Sequence, residues 1–320
     1  MSNQNKIDIL ESDILNFDKS IIEILLSDRT TKKNIIWATN DYLSFGKFYN
    51  PECQITIDLV VADENNIIKP RILKSQENQL IRTKAKAEVF TPSWICNAQN
   101  NLVDLDWVED KKGFNDEIYK SWVTNKDKVI FKNKAKLTWQ KYVDAVRMEI
   151  TCGEAPYLVS RYDATTGEYI EVENRIGLLD RKLRIINENV TDEKEWYKWT
   201  VRAFQSIYGY EFQGDSLLLA RENLLYTFID HLKHKFNRKP DKKELKEMAT
   251  IISWNIWQMD GLKFTVPYSN VVAIEANQQI SFFQEEVCLP QYCLIKDWQA
   301  ARWNKKSIIE FRSLMNKGKS

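Results

Sequence analysis

Between residues 147 and 260 the sequence alternates short strand-like segments with long helical ones. RMEIT predicts a strand, and a single apolar stripe spaced 3, 4, 3 and 4 residues apart then predicts a helix across Ile176, Leu179, Leu183, Ile186 and Val190. A helix capped by Asp192, the strand GYEF, two further helices and the strand NIWQMD follow in that order. Strands separated by helices are typical of a wound sheet, so the predicted fold class is α/β.

The first 81 residues predict a small α+β region. Apolar residues at helical spacing from Ile7 to Leu26 predict two short helices, with Asp18 as the cap of the second. NIIWAT and QITIDLVVAD are predicted to be strands, the latter by its alternation and its β-branched residues. Residues 82–320 form the second predicted domain, and the polar passage near 110–136 is predicted to be a solvated insertion without a motif.

Composition narrows the functional classes. Lys and Arg number 46 against 45 Asp and Glu, so the whole protein carries no electrostatic signature of nucleic-acid binding. No apolar stretch approaches the roughly 20 residues that span a bilayer, and the start MSNQNKIDILESD lacks the pattern of a signal peptide. A cytoplasmic location without membrane contact is expected, and the 5 scattered cysteines suit reduced thiols.

The ends of the predicted strands carry residues suited to a nucleotide-like ligand. In a wound sheet such a ligand lies beyond the carboxyl ends of the strands, where a tight turn exposes backbone amides and a later acid binds ribose hydroxyls. Cys152 and Gly153 supply the turn, Glu211 the acid, and Asp260 a second acid. Each feature alone is commonplace, because a turn glycine or a capping acid serves structure equally well, but their order together predicts a site.

Four segments together resemble the modification subunits of bacterial restriction systems, the adenine-N6 DNA methyltransferases. AEVFTPSWICNAQNNLVD is similar to the family's leading Phe-Thr-Pro element, and EITCGEAPYLVSRYD resembles a divergent Asp-Pro-Ala-Cys-Gly-Ser-Gly loop. GYEFQGDSLLLARENLL resembles the Gly-x-Glu segment that contacts the ribose, and NIWQMDGL resembles the segment whose Asp meets the adenine. The resemblance covers residues 82–262.

The resemblance implies a Rossmann-like methyltransferase sheet, complete or partial, and S-adenosylmethionine as cofactor, with no metal. It assigns cofactor binding to Phe90, Thr91, Pro92, Thr151, Cys152, Gly153, Glu154, Glu211 and Asp260. The loop departs from the family, since Glu154-Ala155-Pro156 replaces Ser-Gly and Pro156 removes a backbone donor. Glu154 keeps a cofactor role if its carboxylate meets the methionine ammonium group.

The family's catalytic Asn-Pro-Pro-Tyr motif is missing. TVPYS, residues 265–269, is the nearest stretch, but Thr265 lacks the amide or carboxylate that would bind the target amine. It follows Asp260 by 5 residues, too few to leave one strand and reach the end of the next. Tyr268 is therefore either a catalytic stacking residue or part of a structural turn.

The resemblance implies a split enzyme in a restriction-modification or other phage-defence system. A second polypeptide would supply the catalytic motif and target recognition, and double-stranded DNA would bind through the complex. The strand at residues 147–151 is then expected to form an unpaired sheet edge. One alternative is an inert methyltransferase-like subunit that binds DNA or protein, and another is a complete enzyme that uses Val266, Pro267 and Tyr268.

At the other candidate sites a structural explanation is favoured over a functional one. His231 and His234 have the spacing of metal ligands, but a solvated helix face explains them as well. Cys288 and Cys293 are either half of a zinc knuckle or two buried thiols. The basic runs at 82–88 and 237–246 either contact phosphate or form solvated faces.

Overall fold

The fold is described from a computed structural model, which covers residues 18–61, 67–74, 91–109, 113–132, 138–269 and 290–316. Within these ranges no helix combines the length and apolar character needed to cross a membrane. The helices are α1 (Lys19–Leu26), α2 (Ile57–Val61), α3 (Ser93–Asp104), α4 (Trp139–Asp144), α5 (Leu178–Asn189), α6 (Glu193–Gln205), α7 (Gly214–Phe236), α8 (Lys242–Asn255), α9 (Trp298–Arg302) and α10 (Arg312–Asn316). The strands are β1 (Asn115–Ile118), β2 (Ser121–Thr124), β3 (Arg147–Glu149), β4 (Ile207–Glu211), β5 (Ile256–Gln258), β6 (Leu294–Lys296) and β7 (Ile308–Glu310).

A parallel three-stranded sheet organises the α/β fold, in the order β3-β4-β5. Met148 is opposite Tyr208 in the first pair, and Tyr210 is opposite Trp257 in the second. These strands lie in the segments RMEIT, GYEF and NIWQMD, so their prediction is confirmed. The three strands are parallel because helices return the chain to the same end of the sheet after each one.

Helix ends follow the local sequence signals. Asp18 accepts a hydrogen bond from the Ser20 amide at 2.8 Å, and Asp192 accepts one from the Glu195 amide at 2.9 Å. Both residues therefore cap helices as predicted, because their side chains satisfy amides that lack a partner within the helix. The first helix predicted between Ile7 and Leu26 lies outside the described residues.

The two sheet faces are covered differently. Helices α5 to α8 pack on one face, where Ile207 and Ile256 join the large hydrophobic core. The β6-β7 hairpin and the residues after it cover the other face, where Tyr210, Trp257 and Phe311 form a second cluster. This alternation follows from the strand period of two, which sends neighbouring side chains to opposite faces.

The two strands predicted near the N-terminus are wrong. NIIWAT makes two isolated bridges, Ser27–Asn34 and Ile36–Gln54, and no extended ladder with any described residue. QITIDLVVAD contains helix α2, whose residue Val60 is buried. Strand propensity depends on a neighbouring strand and on a pleated surface to cover, and here packing against the core decides the conformation instead.

Residues 113–132 include the β1-β2 hairpin, which is largely exposed but is held on the main core by two buried residues. Phe114 and Val129 are 5% and 2% exposed and belong to the main core. Arg184 of α5 donates to the Phe114 carbonyl at 3.0 Å, which fastens the hairpin to the helical layer. The prediction missed this because two buried side chains among many polar ones leave no periodic signal.

The N-terminal region shares its core with the rest of the chain. Ile21 and Leu25 of α1 lie in the same cluster as Leu245 and Ile252 of α8. The predicted boundary after residue 81 lies outside the described residues. The described parts on its two sides form one continuous hydrophobic core.

Candidate functional site

Three segments that are distant in sequence meet at the carboxyl edge of the parallel sheet. The loop at residues 150–159 leaves β3, Glu211 ends β4, and Asp260 follows β5. The chain at Thr91 and Pro92 reaches the same loop through helix α3. Parallel strands deliver their ends to one edge, so the topology itself gathers these residues.

The loop after β3 is tightly folded. Thr151, Gly153 and Ala155 have φ angles of 46°, 53° and 64°, which lie in the left-handed region. Each non-glycine residue in this region costs roughly 1–3 kcal/mol, and such residues cluster at functional sites. The Cys152 amide donates to the Tyr210 carbonyl at 2.9 Å, and the Ala155 amide donates to the Cys152 carbonyl at 2.7 Å. The loop therefore curls back over the end of β4.

Glu149, the last residue of β3, binds the C-terminal part of the same loop. Its carboxylate accepts hydrogen bonds from the amides of Tyr157 and Leu158, at 3.4 and 3.2 Å. Burial raises the pKa of Glu149 to about 8, the two amides oppose this shift, and the charge of Glu211 adds to it. Sequence reasoning used Glu149 only as part of the strand, since an acid at a strand end carries no sign of its partner.

Glu211 joins the loop to the second strand. Its buried carboxylate accepts hydrogen bonds from the amides of Gly153 at 2.9 Å, Phe212 at 2.9 Å and Gln213 at 3.2 Å. Burial raises the pKa of Glu211, and the amide donors oppose that shift. A carboxylate offers about four lone-pair positions, so one more donor, such as a ribose hydroxyl, can still bind.

Cys152 contributes its backbone and not its thiol. The side chain is buried against Gly209, where an added side-chain carbon would lie 3.3 Å from the sulfur. Burial raises the pKa of the Cys152 thiol well above its ordinary value, so the group stays protonated and unreactive. The glycine of the Gly-x-Glu segment thus makes room for the loop.

Helix α3, which follows Thr91 and Pro92, packs beside the loop after β3. The Ser93 amide at the start of α3 donates to the Asp163 carboxylate at 2.7 Å. Further along the helix, Asn100 donates to the carbonyls of Tyr157 and Ile176, at 3.0 Å each. Thr91 and Pro92 therefore sit where the loop turns back. Phe90 lies outside the described residues.

Glu154 points into the protein. Its side chain is 4% exposed and accepts a hydrogen bond from the Tyr162 hydroxyl at 2.5 Å. Asn223 of α7 donates to the Glu154 carbonyl at 3.1 Å. This geometry ties Glu154 to helix α7, and it does not present the carboxylate to a methionine ammonium group at the loop surface.

Asp260 caps a turn of its own. Its carboxylate accepts hydrogen bonds from the amides of Leu262 and Lys263, at 3.0 and 3.1 Å. Asp260 also forms a β-bridge with Thr265, so TVPYS belongs to the same turn and follows no new strand. The other carboxylate oxygen of Asp260 is 3.6 Å from the Lys263 ammonium group, which is largely exposed.

Tyr268 forms an aromatic pair with Phe212, a residue that sequence reasoning missed. The two ring centroids are 5.9 Å apart in an edge-to-face arrangement. Phe212 directly follows Glu211 and is half-buried. An aromatic surface thus lies beside the Glu211 carboxylate, which is an arrangement that suits a nucleoside.

No protein-family model, curated protein or solved structure matches this chain. The case for the site therefore rests on its own geometry. In the part of the chain described by the structure, no group of three His, Cys, Asp or Glu side chains is placed to hold a metal ion.

The remaining candidates that lie in the described residues have structural contacts or are buried. His231 is buried 3.3 Å from Asp180, so the predicted solvated face is wrong for this residue, whereas His234 is partly exposed beside Glu173. Cys293 is buried, and Cys288 lies outside the described residues. In the basic run at 237–246, Arg238 pairs with Glu193 and Glu244, at 2.6 Å each. The run at 82–88 lies outside the described residues.

Proposed function

We propose that this chain is the S-adenosylmethionine-binding subunit of a split adenine-N6 DNA methyltransferase in a restriction-modification or other phage-defence system. A partner polypeptide supplies the Asn-Pro-Pro-Tyr motif and target recognition, and double-stranded DNA binds through the complex. One observation carries the proposal. The loop after β3, Glu211 after β4 and helix α3 converge on one edge of a parallel sheet, which is where such folds bind nucleotides.

The residues at this edge fit the adenosine part of the cofactor. Glu211 keeps an acceptor position for a ribose hydroxyl, and the Phe212 ring offers a face for adenine. The second oxygen of Asp260 can accept from the adenine amine. The Thr151 backbone and the Gly153 carbonyl remain for the methionine end, because the Gly153 amide donates to Glu211 and Glu154 is turned toward Tyr162. The cofactor, when bound, supplies the methyl group that is transferred.

Tyr268 supports cofactor binding better than catalysis. Its ring packs against Phe212 on the proposed adenine side of the site, and its turn is closed by the Asp260–Thr265 bridge. No group for binding a target amine precedes it at Thr265. The catalytic residues are therefore assigned to the partner.

Calorimetric titration of the full chain with S-adenosylmethionine tests the proposal. Glu211→Gln should weaken binding by at least about ten-fold, since a hydrogen bond to a charged group contributes about 1.5–3 kcal/mol. Phe212→Ala should also weaken binding, and it leaves the Glu211–Gly153 hydrogen bond in place. Glu168→Gln, at an exposed position outside the site, is the matched control and should bind normally.

Circular dichroism of each variant separates lost binding from lost folding. Absence of binding by the folded wild-type chain, both alone and with its partner present, refutes the proposed function. Equal affinity for wild type, Glu211→Gln and Phe212→Ala would place the cofactor elsewhere.

A structural observation favours one alternative, a catalytically inert subunit that binds DNA or protein. The carboxylates of Glu211 and Glu154 both accept hydrogen bonds from the chain itself, so the loop is held without a ligand. The same titration decides between the two functions. The inert subunit binds its partner or DNA and shows no heat of binding with S-adenosylmethionine.

A further inference from the structure

Strand β3 has an open outer edge. The Arg147 amide donates to the Ser206 carbonyl at 2.9 Å, toward β4. Because backbone groups alternate along a strand, the N–H and C=O of Met148 point away from β4. Among the residues that the structure describes, no strand pairs with this outer side. Val146, Met148 and Ile150 are 56%, 43% and 62% exposed, so the edge is apolar as well as unpaired.

An apolar groove adjoins this edge on the sheet face opposite helices α5 to α8. It has a volume of about 240 Å³, and its apolar lining includes Met148, Tyr208, Trp257, Ile309, Phe311 and Leu314. Met148 belongs to both the edge and the groove, so they form one continuous surface. We call it the edge-groove surface. Natural proteins cover or charge such edges, because a bare apolar edge strand pairs with other chains.

We propose that a second polypeptide docks on the edge-groove surface by adding a strand parallel to β3 and by laying its next helix into the groove. The handedness of sheet connections supports this placement. From β3 to β4 to β5 the chain moves in one direction across the sheet with its helices on one face. A right-handed unit that starts beyond β3 and moves the other way carries its helix on the opposite face. The groove lies on that face.

The rim of the groove indicates the charge of this helix. Arg202, Lys296 and Arg302 line it together with Asp144 and Asp297. Arg202 pairs with Asp144, and Asp297 caps α9 by accepting from the Ala300 amide at 2.9 Å. Three cations face two anions there, and Asp144 also pairs with Arg302 at 3.8 Å, so the lining has a net charge of +1. The docking helix should therefore carry an acidic residue beside its apolar face.

The added strand would also complete the candidate site. A strand parallel to β3 ends at the same edge as Cys152, Gly153 and Glu211, so the loop after it faces the cofactor position. This consequence rests on the proposed function. The docking surface itself rests on the sheet edge and the groove.

Co-expression tests the proposal. The tagged full chain is produced with the product of each reading frame that flanks its gene, one at a time. One product should co-purify in equal amount with the wild type. Met148→Lys should reduce its recovery by at least about ten-fold, since an unpaired lysine is unfavourable in a buried interface. Ile118→Lys is the matched control, because Ile118 is a 52% exposed apolar residue at the end of a different strand, β1.

Hydrogen exchange provides a measurement at the edge itself. The Met148 amide should exchange quickly in the isolated chain and at least about ten-fold more slowly in the complex, because the added strand accepts its hydrogen bond. Strong protection of this amide in the isolated chain overturns the proposal. Failure of every flanking product to co-purify, or equal recovery with Met148→Lys, also overturns it.

Two further readouts identify the cause of a failure. A dimer of the chain alone that Met148→Lys abolishes would show that the occupant is a second copy, and it overturns the proposed partner. Titration of the same complex with S-adenosylmethionine separates the two proposals. A complex that forms through the edge-groove surface but binds no cofactor refutes the function alone, and cofactor binding without any such complex refutes the docking alone.

Discussion

The two outer edges of the parallel sheet, at β5 and β3, differ in their hydrogen bonds to the rest of the chain. At the β5 edge, the Gln258 amide group accepts from the Ile36 amide at 2.9 Å and donates to the Ile36 carbonyl at 2.8 Å. Arg221 donates to the Ile256 carbonyl at 2.7 Å on the same strand. At the β3 edge, no described residue pairs with the outer side of Met148.

The difference shows that side chains and segments distant in sequence make the hydrogen bonds at the β5 edge. Ile36 reaches Gln258 across 222 residues of sequence, and Gly214 allows this close approach because any side chain there would collide with the Ile36 carbonyl. An unpaired apolar edge strand tends to pair with another chain. The contrast supports the proposal that a partner docks at the β3 edge.

Removing the Arg221 guanidinium should produce the largest effect. It is fully buried and donates to the carbonyls of Leu25, Ser27 and Ile256. Arg221→Met leaves these acceptors unpaired, and each costs about 1–3 kcal/mol, so the free energy of unfolding should fall by at least about 3 kcal/mol. Arg302→Met, at the rim of the open edge, should cost less than about 1 kcal/mol. Urea denaturation measures both values. Equal losses would contradict the conclusion that Arg221 stabilises the β5 edge.

The free energy of unfolding should depend on pH because of Glu149, which lies on the open-edge strand β3. Its folded pKa of about 8 lies above the ordinary value of 4.5, so the folded protein keeps a proton that the unfolded chain releases. Stability from this group is fully present below pH 4.5 and is lost as pH rises through about 8, at up to about 1.4 kcal/mol per pH unit.

Glu149→Gln should flatten this slope of the free energy of unfolding between pH 4.5 and 8. Glu168→Gln, at an exposed glutamate, should leave the slope unchanged. Urea denaturation at several pH values compares the two variants with the wild type. An unchanged slope in Glu149→Gln would contradict a buried, protonated Glu149.

The smallest effect should come from the open edge in the isolated chain. Met148→Thr replaces a 43% exposed side chain with one that also favours strands, so the free energy of unfolding should change by less than about 0.5 kcal/mol. Thermal unfolding of the purified chain measures the change. A loss comparable to that of Arg221→Met would mean that the edge is already covered, and the contrast between the two edges would disappear.

Features that depend on neighbouring residues were predictable from the sequence. The cap at Asp192 and the apolar stripe through Leu179 and Leu183 are local signals, because a helix repeats every 3.6 residues and leaves its first amides unpaired. The three sheet strands were predictable for the same reason. Their short apolar segments alternate with helices long enough to return the chain.

Features that depend on distant partners were not predictable. Glu154 and Glu211 are both loop or strand-end acids in sequence, yet one bonds to Tyr162 in the core and the other to Gly153 at the site. Phe212 gained its candidate role only through its contact with Tyr268. The strands predicted near the N-terminus meet only at the Ile36–Gln54 bridge, because the second segment turns into helix α2 at Ile57.

By itself, the sequence determined the order of strands and helices between residues 147 and 260, the caps at Asp18 and Asp192, and the placement of the turn and acids at the strand ends. The tertiary structure alone decided which acids face the candidate site, which residues cover the β5 edge, and which edge stays open. The physical reason is the separation along the sequence between the residues that interact. Periodicity and capping are satisfied within a few residues, whereas hydrogen-bond partners, burial and sheet edges depend on segments that meet only when the chain folds.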